Sequence, residues 1–278
     1  MSDEELNFEQ KESVLVIILK IETKPSDTNI DALKRLFSDP YFAVQVLSVE
    51  LPNKIPTLKT LTKSQYIENY FMFKALTYAS EGPYFLNSNG HLEPKFWWKE
   101  IPVIIVKDSS VSNIPSKGSE DIITIKNRIS TALEKAKQAD LFFLCKWNDY
   151  CHQYVDVSTP NDFYGSKLKW SKRPTSTQAI MYTPISRDYI KQELLKSNIP
   201  LSDLLNINIS QGNLLATVFV PNIIDFDIDL ATSMSDFNKL NECATPKEIK
   251  KNNIVNIVLW FIIFLIILIA ISWFLIQT

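Results

Sequence analysis

Lys107, Asp108, Ser109 and Ser110 stand in a row directly behind the apolar run PVIIV at 102–106. An ammonium, a carboxylate and two hydroxyls on consecutive residues suit the chemistry of phosphates, riboses and divalent cations. Their position matters as much as their type, because open α/β sheets bind ligands outside the carboxyl ends of their strands. The same residue types also build ordinary turns. A second group, Cys145, Cys151 and His152, has a C-x5-C-H spacing. It falls short of the four ligands of a structural zinc site, and the one further histidine is His91. Phe96, Trp97, Trp98, Trp147 and Trp170 offer aromatic faces for stacking on a sugar or base, a use that competes with plain core packing. There is no G-x-S-x-G elbow, and the five glycines include no G-x-G. Most nucleophilic schemes are thereby removed, and P-loop and dinucleotide-loop chemistry is excluded.

The strand that must position Lys107 to Ser110, expected over 101–106, is one of several short β-rich runs. Residues 13–22, SVLVIILKIE, are continuous and apolar in the manner of a buried, often parallel, strand. A helix should follow. Pro25, Ser26 and Asp27 supply start signals, Ile30, Leu33, Leu36 and Phe37 recur at helical spacing, and Asp39-Pro40 stops the pattern. With a second strand over 43–49, the chain opens as a strand–helix–strand unit. Periodicity predicts further helices over 63–79, 121–137 and 184–196, and strands over 140–146, 178–183 and 214–220. Tyr84, Phe85 and the polar stretch 87–91 read as an exposed loop. This alternation predicts one α/β domain over 13–224, with a mixed, mainly parallel sheet, behind an N-terminal tail at 1–12.

Acids and bases are interspersed and the formal net charge is −2, so no basic face is available for nucleic acid. Three cysteines are too few for a disulfide framework and suit a reducing compartment. The acidic opening MSDEELNFEQKES is unlike a secretory signal, which gives the sequon Asn208-Ile209-Ser210 little weight. Residues 225–253 turn acidic and Ser/Thr-rich before Lys247, Lys250 and Lys251, and read as a connector. Beyond it, 254–276 is IVNIVLWFIIFLIILIAISWFLI, without a charge. About 20 apolar residues at 1.5 Å rise cover a hydrocarbon core of about 30 Å, so this run predicts a transmembrane helix. Trp260 and Trp273 lie near its ends, and the lysine flank should stay cytosolic. Gln277 and Thr278 alone come after the run, so the expected topology is single-pass and tail-anchored, with the N-terminal domain in the cytosol.

The order of segments resembles glycosyltransferase family 25, which includes lipooligosaccharide galactosyltransferases and collagen hydroxylysine transferases and which large DNA viruses also encode. The segments concerned are VLVIILKIETKPSD through QVLSVE, SQYIENYFMFKALTYASEGP ahead of IPVIIVKDSSVS, TSTQAIMYTPISRDYIKQEL, LSDLL at 201–205, and LLATVFVPNIID. The likeness covers the whole length ahead of the connector. It implies a GT-A fold, a Rossmann-related single domain with a nucleotide-sugar donor, a hydroxyl acceptor and commonly Mn2+ or Mg2+. It also implies donor-site roles for Lys107, Asp108, Ser109, Ser110 and Gln178, with Asp108 as metal ligand, and a catalytic acid/base role for Asp203. The chain departs from the family's acidic cluster. Where Glu-Asp-Asp or Asp-x-Asp is usual, Lys107-Asp108-Ser109 leaves one carboxylate beside a lysine that would repel a cation. On an extended strand Lys107 and Asp108 also point to opposite faces. Two functions are therefore expected side by side: a membrane-anchored hexosyltransferase, and a catalytically inactive protein of that fold serving as a membrane-anchored structural or interaction module. A content rich in Lys, Asn and Ile fits a viral member, whose anchor would join a host or virion membrane.

Overall fold

The computed structural model describes residues 12–20, 27–50, 60–81, 84–86, 92–94, 96–112, 119–146, 154–157 and 167–226. Its first strand, β1 (Val14–Lys20), is apolar at every position before Lys20 because both faces are covered. Helix α1 (Asp27–Leu36) buries Ile30, Leu33 and Leu36, and Lys34 and Arg35 in its last turn complement the negative helix end. Asp39 then folds the chain back: its carboxylate accepts from Tyr41 N at 2.8 Å and its carbonyl from Phe42 N at 2.9 Å. The chain returns as β2 (Phe42–Ser48), parallel to β1 along seven register pairs. The predicted opening unit is therefore present.

Helix α2 (Lys63–Glu81) starts at a reciprocal cap. Gln65 N donates to Thr62 Oγ1 at 3.2 Å, and Thr62 N donates to Gln65 Oε1 at 2.9 Å, the T-x-x-Q capping box. After α2 the expected loop is a hairpin, β3 (Tyr84–Leu86) with β4 (Leu92–Pro94), whose connection 87–91 lies outside the described residues. Strand β5 (Val103–Lys107) leads into the short β6 (Ser110–Ser112), and α3 (Ser119–Lys135) and β7 (Leu141–Phe143) come next. The antiparallel pair β8 (Val155–Asp156) and β9 (Lys167–Ser171) precedes β10 (Ala179–Tyr182). Helix α4 (Pro184–Lys196) has Pro184 in its first turn and Thr183 as cap, whose hydroxyl accepts from Ser186 N at 3.4 Å. Helix α5 (Leu201–Ser210), β11 (Ala216–Val220) and β12 (Ile224–Phe226) close the described chain.

Eight strands form one sheet in the order β2-β1-β5-β10-β7-β11-β9-β8, and β6 pairs with β12 in a separate two-stranded ribbon. The sheet is mixed, as expected, but the emphasis on parallel pairing needs correcting. Three of its seven pairings are parallel and four antiparallel. The cause lies in β9 and β10, which run against the other six strands. β10 enters between β5 and β7 after the chain has laid β8 and β9 on the far side, so it opposes both neighbours. One face of the sheet packs Val16, Ile18, Ile104, Val106 and Phe142 against α1 and α3. The other packs Leu15, Ile17, Ile105 and Phe143 against α2, α4 and α5. Arg187 of α4 is 1% exposed and donates to Lys99 O at 2.5 Å and Trp98 O at 3.4 Å, which ties α4 to the turn that feeds β5.

The domain continues through β12, so Asp225 and Phe226 belong to it rather than to the connector. Among the described residues no helix is long and apolar enough to cross a membrane, and the predicted span at 254–276 lies outside them. Ile105 fills the centre of the sheet at 1% exposure, whereas Val46 on β2 is 38% exposed. Ile105→Ala should cost about 3 kcal/mol in equilibrium urea unfolding, and Val46→Ala less than about 1 kcal/mol. Equal losses would mean that the core does not lie where β5 is buried.

Candidate functional site

The chain leaves β1 toward β2 on one side and later returns to its other side as β5. The lateral direction of winding therefore reverses between β1 and β5, and their carboxyl ends flank the crevice where open α/β sheets bind ligands. Lys107, Asp108, Ser109 and Ser110 lie at this reversal. Two backbone bonds fix the strand end there: Asp108 N donates to Leu19 O at 3.1 Å, and Lys107 N to Gln178 O at 3.0 Å. The sheet thus extends one residue past β5 on the β1 side.

Asp108 is fully buried, and Ser109, Ser110 and Gln178 are nearly so. The Gln178 amide nitrogen donates to Ser109 Oγ at 2.7 Å and Ser110 Oγ at 2.9 Å, while its backbone N–H donates to Ser176 Oγ at 3.1 Å. Buried polar groups persist only when hydrogen-bonded, so the residue before β10 and the turn after β5 hold each other in place. Four of the six predicted site residues therefore meet at one sheet edge.

Lys107 shares the edge but serves another network. Its ammonium lies 2.5 Å from Glu68 Oε1 on α2 and 2.8 Å from Thr177 Oγ1, and the Thr177 hydroxyl donates to the same carboxylate oxygen. Burial alone would raise the Glu68 pKa. The Lys107 charge and the hydrogen bonds from Lys107 and Thr177 outweigh that and hold the carboxyl below its ordinary value. Burial, with the Glu68 charge as the lesser cause, pushes the Tyr182 phenol well above its usual range. Lys107 is thus spent on α2, consistent with the alternation that separates it from Asp108.

Asp203 stands apart. It is exposed in the first turn of α5, where the helix dipole favours a carboxylate, and its side chain makes no hydrogen bond or ion pair among the described residues. It is not the helix cap; that position is Pro200, which supplies no side-chain bond. The start of α5 is held by Asn69 of α2, whose amide donates to Ile199 O at 2.8 Å and accepts from Leu201 N at 2.8 Å. Glu68 and Asn69, adjacent on α2, therefore place both Lys107 and the beginning of α5.

Glu68, Asn69 and Thr177 are residues that the sequence alone does not single out. A lysine closing a buried apolar strand signals that an acid must face it, but nothing in spacing selects Glu68, 39 residues away. The aromatic candidates divide. Trp98 is 1% exposed and donates its indole N–H to Glu12 Oε2 at 2.6 Å, a core role, while Trp170 packs against the sheet core. Trp97 is partly buried against the opposite core. The Phe96 side chain and Trp147 lie outside the described residues, as do Cys151 and His152, and Cys145 is buried after β7. Asn208 of the sequon is buried in α5, donating to Leu204 O at 2.9 Å and accepting from Tyr189 Oη at 2.6 Å, which closes it to modification in the folded domain.

A divalent cation bridging two phosphates needs several oxygen ligands. Among the described residues no three His, Cys, Asp or Glu side chains come together as a metal site. Asp108, the one carboxylate of the strand-end group, does not amount to a donor set for a resident ion. Compared with known proteins, the chain matches no protein-family model and no curated protein sequence.

The pH dependence of the clamp is set by the lowered Glu68 value. A carboxyl depressed on folding stabilises fully above its ordinary value of 4.5 and loses that contribution as the pH falls through the folded value. Glu68→Gln should cost about 2 kcal/mol at neutral pH, and its difference from the parent should shrink as the pH falls below 4.5 and through the lowered folded value. A difference that is constant with pH would show that the carboxylate charge is not what holds Lys107.

Proposed function

We propose that this protein is a membrane-tethered, GT-A-like glycosyltransferase that binds a nucleotide sugar over the carboxyl ends of β1 and β5 and transfers a hexose to a hydroxyl. The observation that carries this reading is the buried Asp108–Ser109–Ser110–Gln178 group at the point where the winding reverses. Asp108 faces the donor's ribose or diphosphate, the two serines hydrogen-bond its phosphate oxygens, and Gln178 positions the serines. In the reaction the acceptor oxygen bonds to the anomeric carbon as the bond from that carbon to the diphosphate oxygen breaks. The nucleoside diphosphate leaves with the electron pair, and the acceptor proton passes to a base; Asp203, the candidate from sequence, stands on α5 apart from the strand-end group. Pre-organised donors aimed at the leaving diphosphate supply the electrostatic part of catalysis.

A second reading is favoured by one specific observation. Lys107 is held by Glu68 and Thr177, so its charge is already balanced away from the strand-end group, and a single carboxylate remains there. On that reading the chain keeps the transferase architecture as a membrane-anchored interaction module without turnover, in a viral or cellular membrane.

Calorimetric titration of the detergent-solubilised full chain with UDP-hexoses and GDP-hexoses, with and without Mn2+, separates the two. Saturable binding is expected, weakened at least about tenfold, or ~1.4 kcal/mol, by Asp108→Asn and similarly by Gln178→Ala. A folded chain that takes up no donor under any condition would overturn the transferase reading and leave the scaffold.

A further inference from the structure

At the amino edge of the sheet, opposite the candidate site, the ends of four adjacent strands are level. Tyr182 at the end of β10 pairs with Leu141 at the start of β7, Leu141 with Ala216 at the start of β11, and Ala216 with Ser171 at the end of β9. The segments just beyond this row therefore lie side by side. Hydrogen bonds hold them there: Thr183 N donates to Asp140 O at 3.1 Å, Ser186 Oγ to the same carbonyl at 2.7 Å, and Asp140 N to Leu215 O at 2.8 Å.

What these segments expose is apolar and basic. Ile185, in the first turn of α4, is 79% exposed, and Leu215, ahead of β11, is 44% exposed. Ile207, in the last turn of α5, is exposed as well. Lys137 ahead of β7, and Lys172 and Arg173 behind β9, are exposed along the same edge. Their charges are not cancelled locally. Asp140 already accepts from Leu215 N at 2.8 Å, and Glu134 and Lys135, in the last turn of α3, pair with each other at 3.0 Å. Three cations thus surround exposed aliphatic side chains, which suits a surface that is apolar and anionic at once.

Two features select the kind of surface. Three strand spacings of ~4.8 Å make the row about 14 Å long, so the patch covers on the order of a few hundred Å², short of the ~800 Å² per partner that a stable protein interface buries. Protein interfaces are also rich in aromatic residues and poor in lysine, whereas a bilayer takes single aliphatic side chains into its headgroup region and accommodates lysine stems with their charges outward. Each cation beside an anionic leaflet strengthens association about fivefold, so three supply on the order of 100-fold.

We propose that the amino edge of β10, β7, β11 and β9 is a docking surface for anionic phospholipid membranes, with Ile185 and Leu215 entering the headgroup region and Lys137, Lys172 and Arg173 meeting the lipid phosphates. The inference stands apart from the transferase reading and from the predicted span. A domain docked this way turns its carboxyl edge, with the strand-end group, toward water.

The test uses the full chain in a Cys151→Ser/Cys243→Ser background, where the remaining Cys145 is buried. An environment-sensitive NBD dye is attached at Ile185→Cys or, at the opposite edge, at Ser48→Cys, exposed at the carboxyl end of β2. NBD emission strengthens and moves to the blue on entering a bilayer interface. Reconstitution in phosphatidylcholine containing about one-third phosphatidylserine should raise the docked-to-undocked ratio read at Ile185→Cys on the order of 100-fold above phosphatidylcholine alone. The Ser48→Cys probe should change little. Lys172→Gln/Arg173→Gln should lower the ratio about thirtyfold, and raising the salt toward 1 M, where the Debye length is about 3 Å, should have the same sense. Equal responses in the two lipids, a response as large at Ser48→Cys, or none at Ile185→Cys in a chain that keeps its far-UV circular dichroism would each overturn the proposal. A response of Ile185→Cys to soluble polyglutamate, with none to the anionic vesicles, would assign the surface to an acidic protein and overturn it too.

Discussion

The ion pair between Lys107 and Glu68 is the constraint on which the arrangement of the sheet edge depends. β5 is flanked by β1 and β10 and covered by helices on both faces, so an ammonium at its end has little access to water. Removing such a charge from solvent costs several kcal/mol unless it is paired and hydrogen-bonded. Glu68 and Thr177 meet that requirement together, and in doing so they lock α2, the end of β5 and the approach to β10 to one another. The next residue of α2, Asn69, fixes the start of α5 through two bonds from its side-chain amide to the backbone. One turn of one helix thereby places three other elements.

With Lys107 directed toward α2, strand alternation turns Asp108 to the opposite side, and the turn that comes after it is held by Gln178 rather than by charge. Neighbouring residues thus divide the work: Lys107 anchors the strand, and Asp108 to Ser110 form a buried polar group at its end. A point charge held by its own counterion does not raise the potential around the strand-end carboxylate as a free one would.

Much of the fold is legible in the residues. VLVIILK is too apolar for anything but a strand covered on both faces, Asp39-Pro40 stops α1 where expected, and α4 occupies the predicted 184–196 because Thr183-Pro184 is a strong start signal. The strands β8 and β9, the ribbon β6–β12 and the helix α5 carry no comparable signal. They are short, and the β6–β12 and β9–β11 pairings join residues far apart in sequence, so no local period announces them. The reversed direction of β10 is invisible for the same reason, since a four-residue apolar strand reads alike in either sense. At the site, Asp108, Ser109 and Ser110 can be found because a polar cluster behind an apolar strand is a local signal. Glu68 and Asn69 cannot, because α2 carries them in a long helix whose other polar residues look equally suitable.

The central claim is that a nucleotide sugar binds between the carboxyl ends of β1 and β5. It is tested most directly by following the backbone amide resonances of the isotope-labelled full chain in detergent micelles during titration with UDP-glucose and GDP-mannose. The account predicts that one donor shifts the amides of Lys20, Asp108, Ser109, Ser110 and Gln178 first, while those of Gln138 and Asn213 at the opposite edge stay in place. Shifts centred on the opposite edge, or none anywhere in a folded protein at saturating donor, would contradict it.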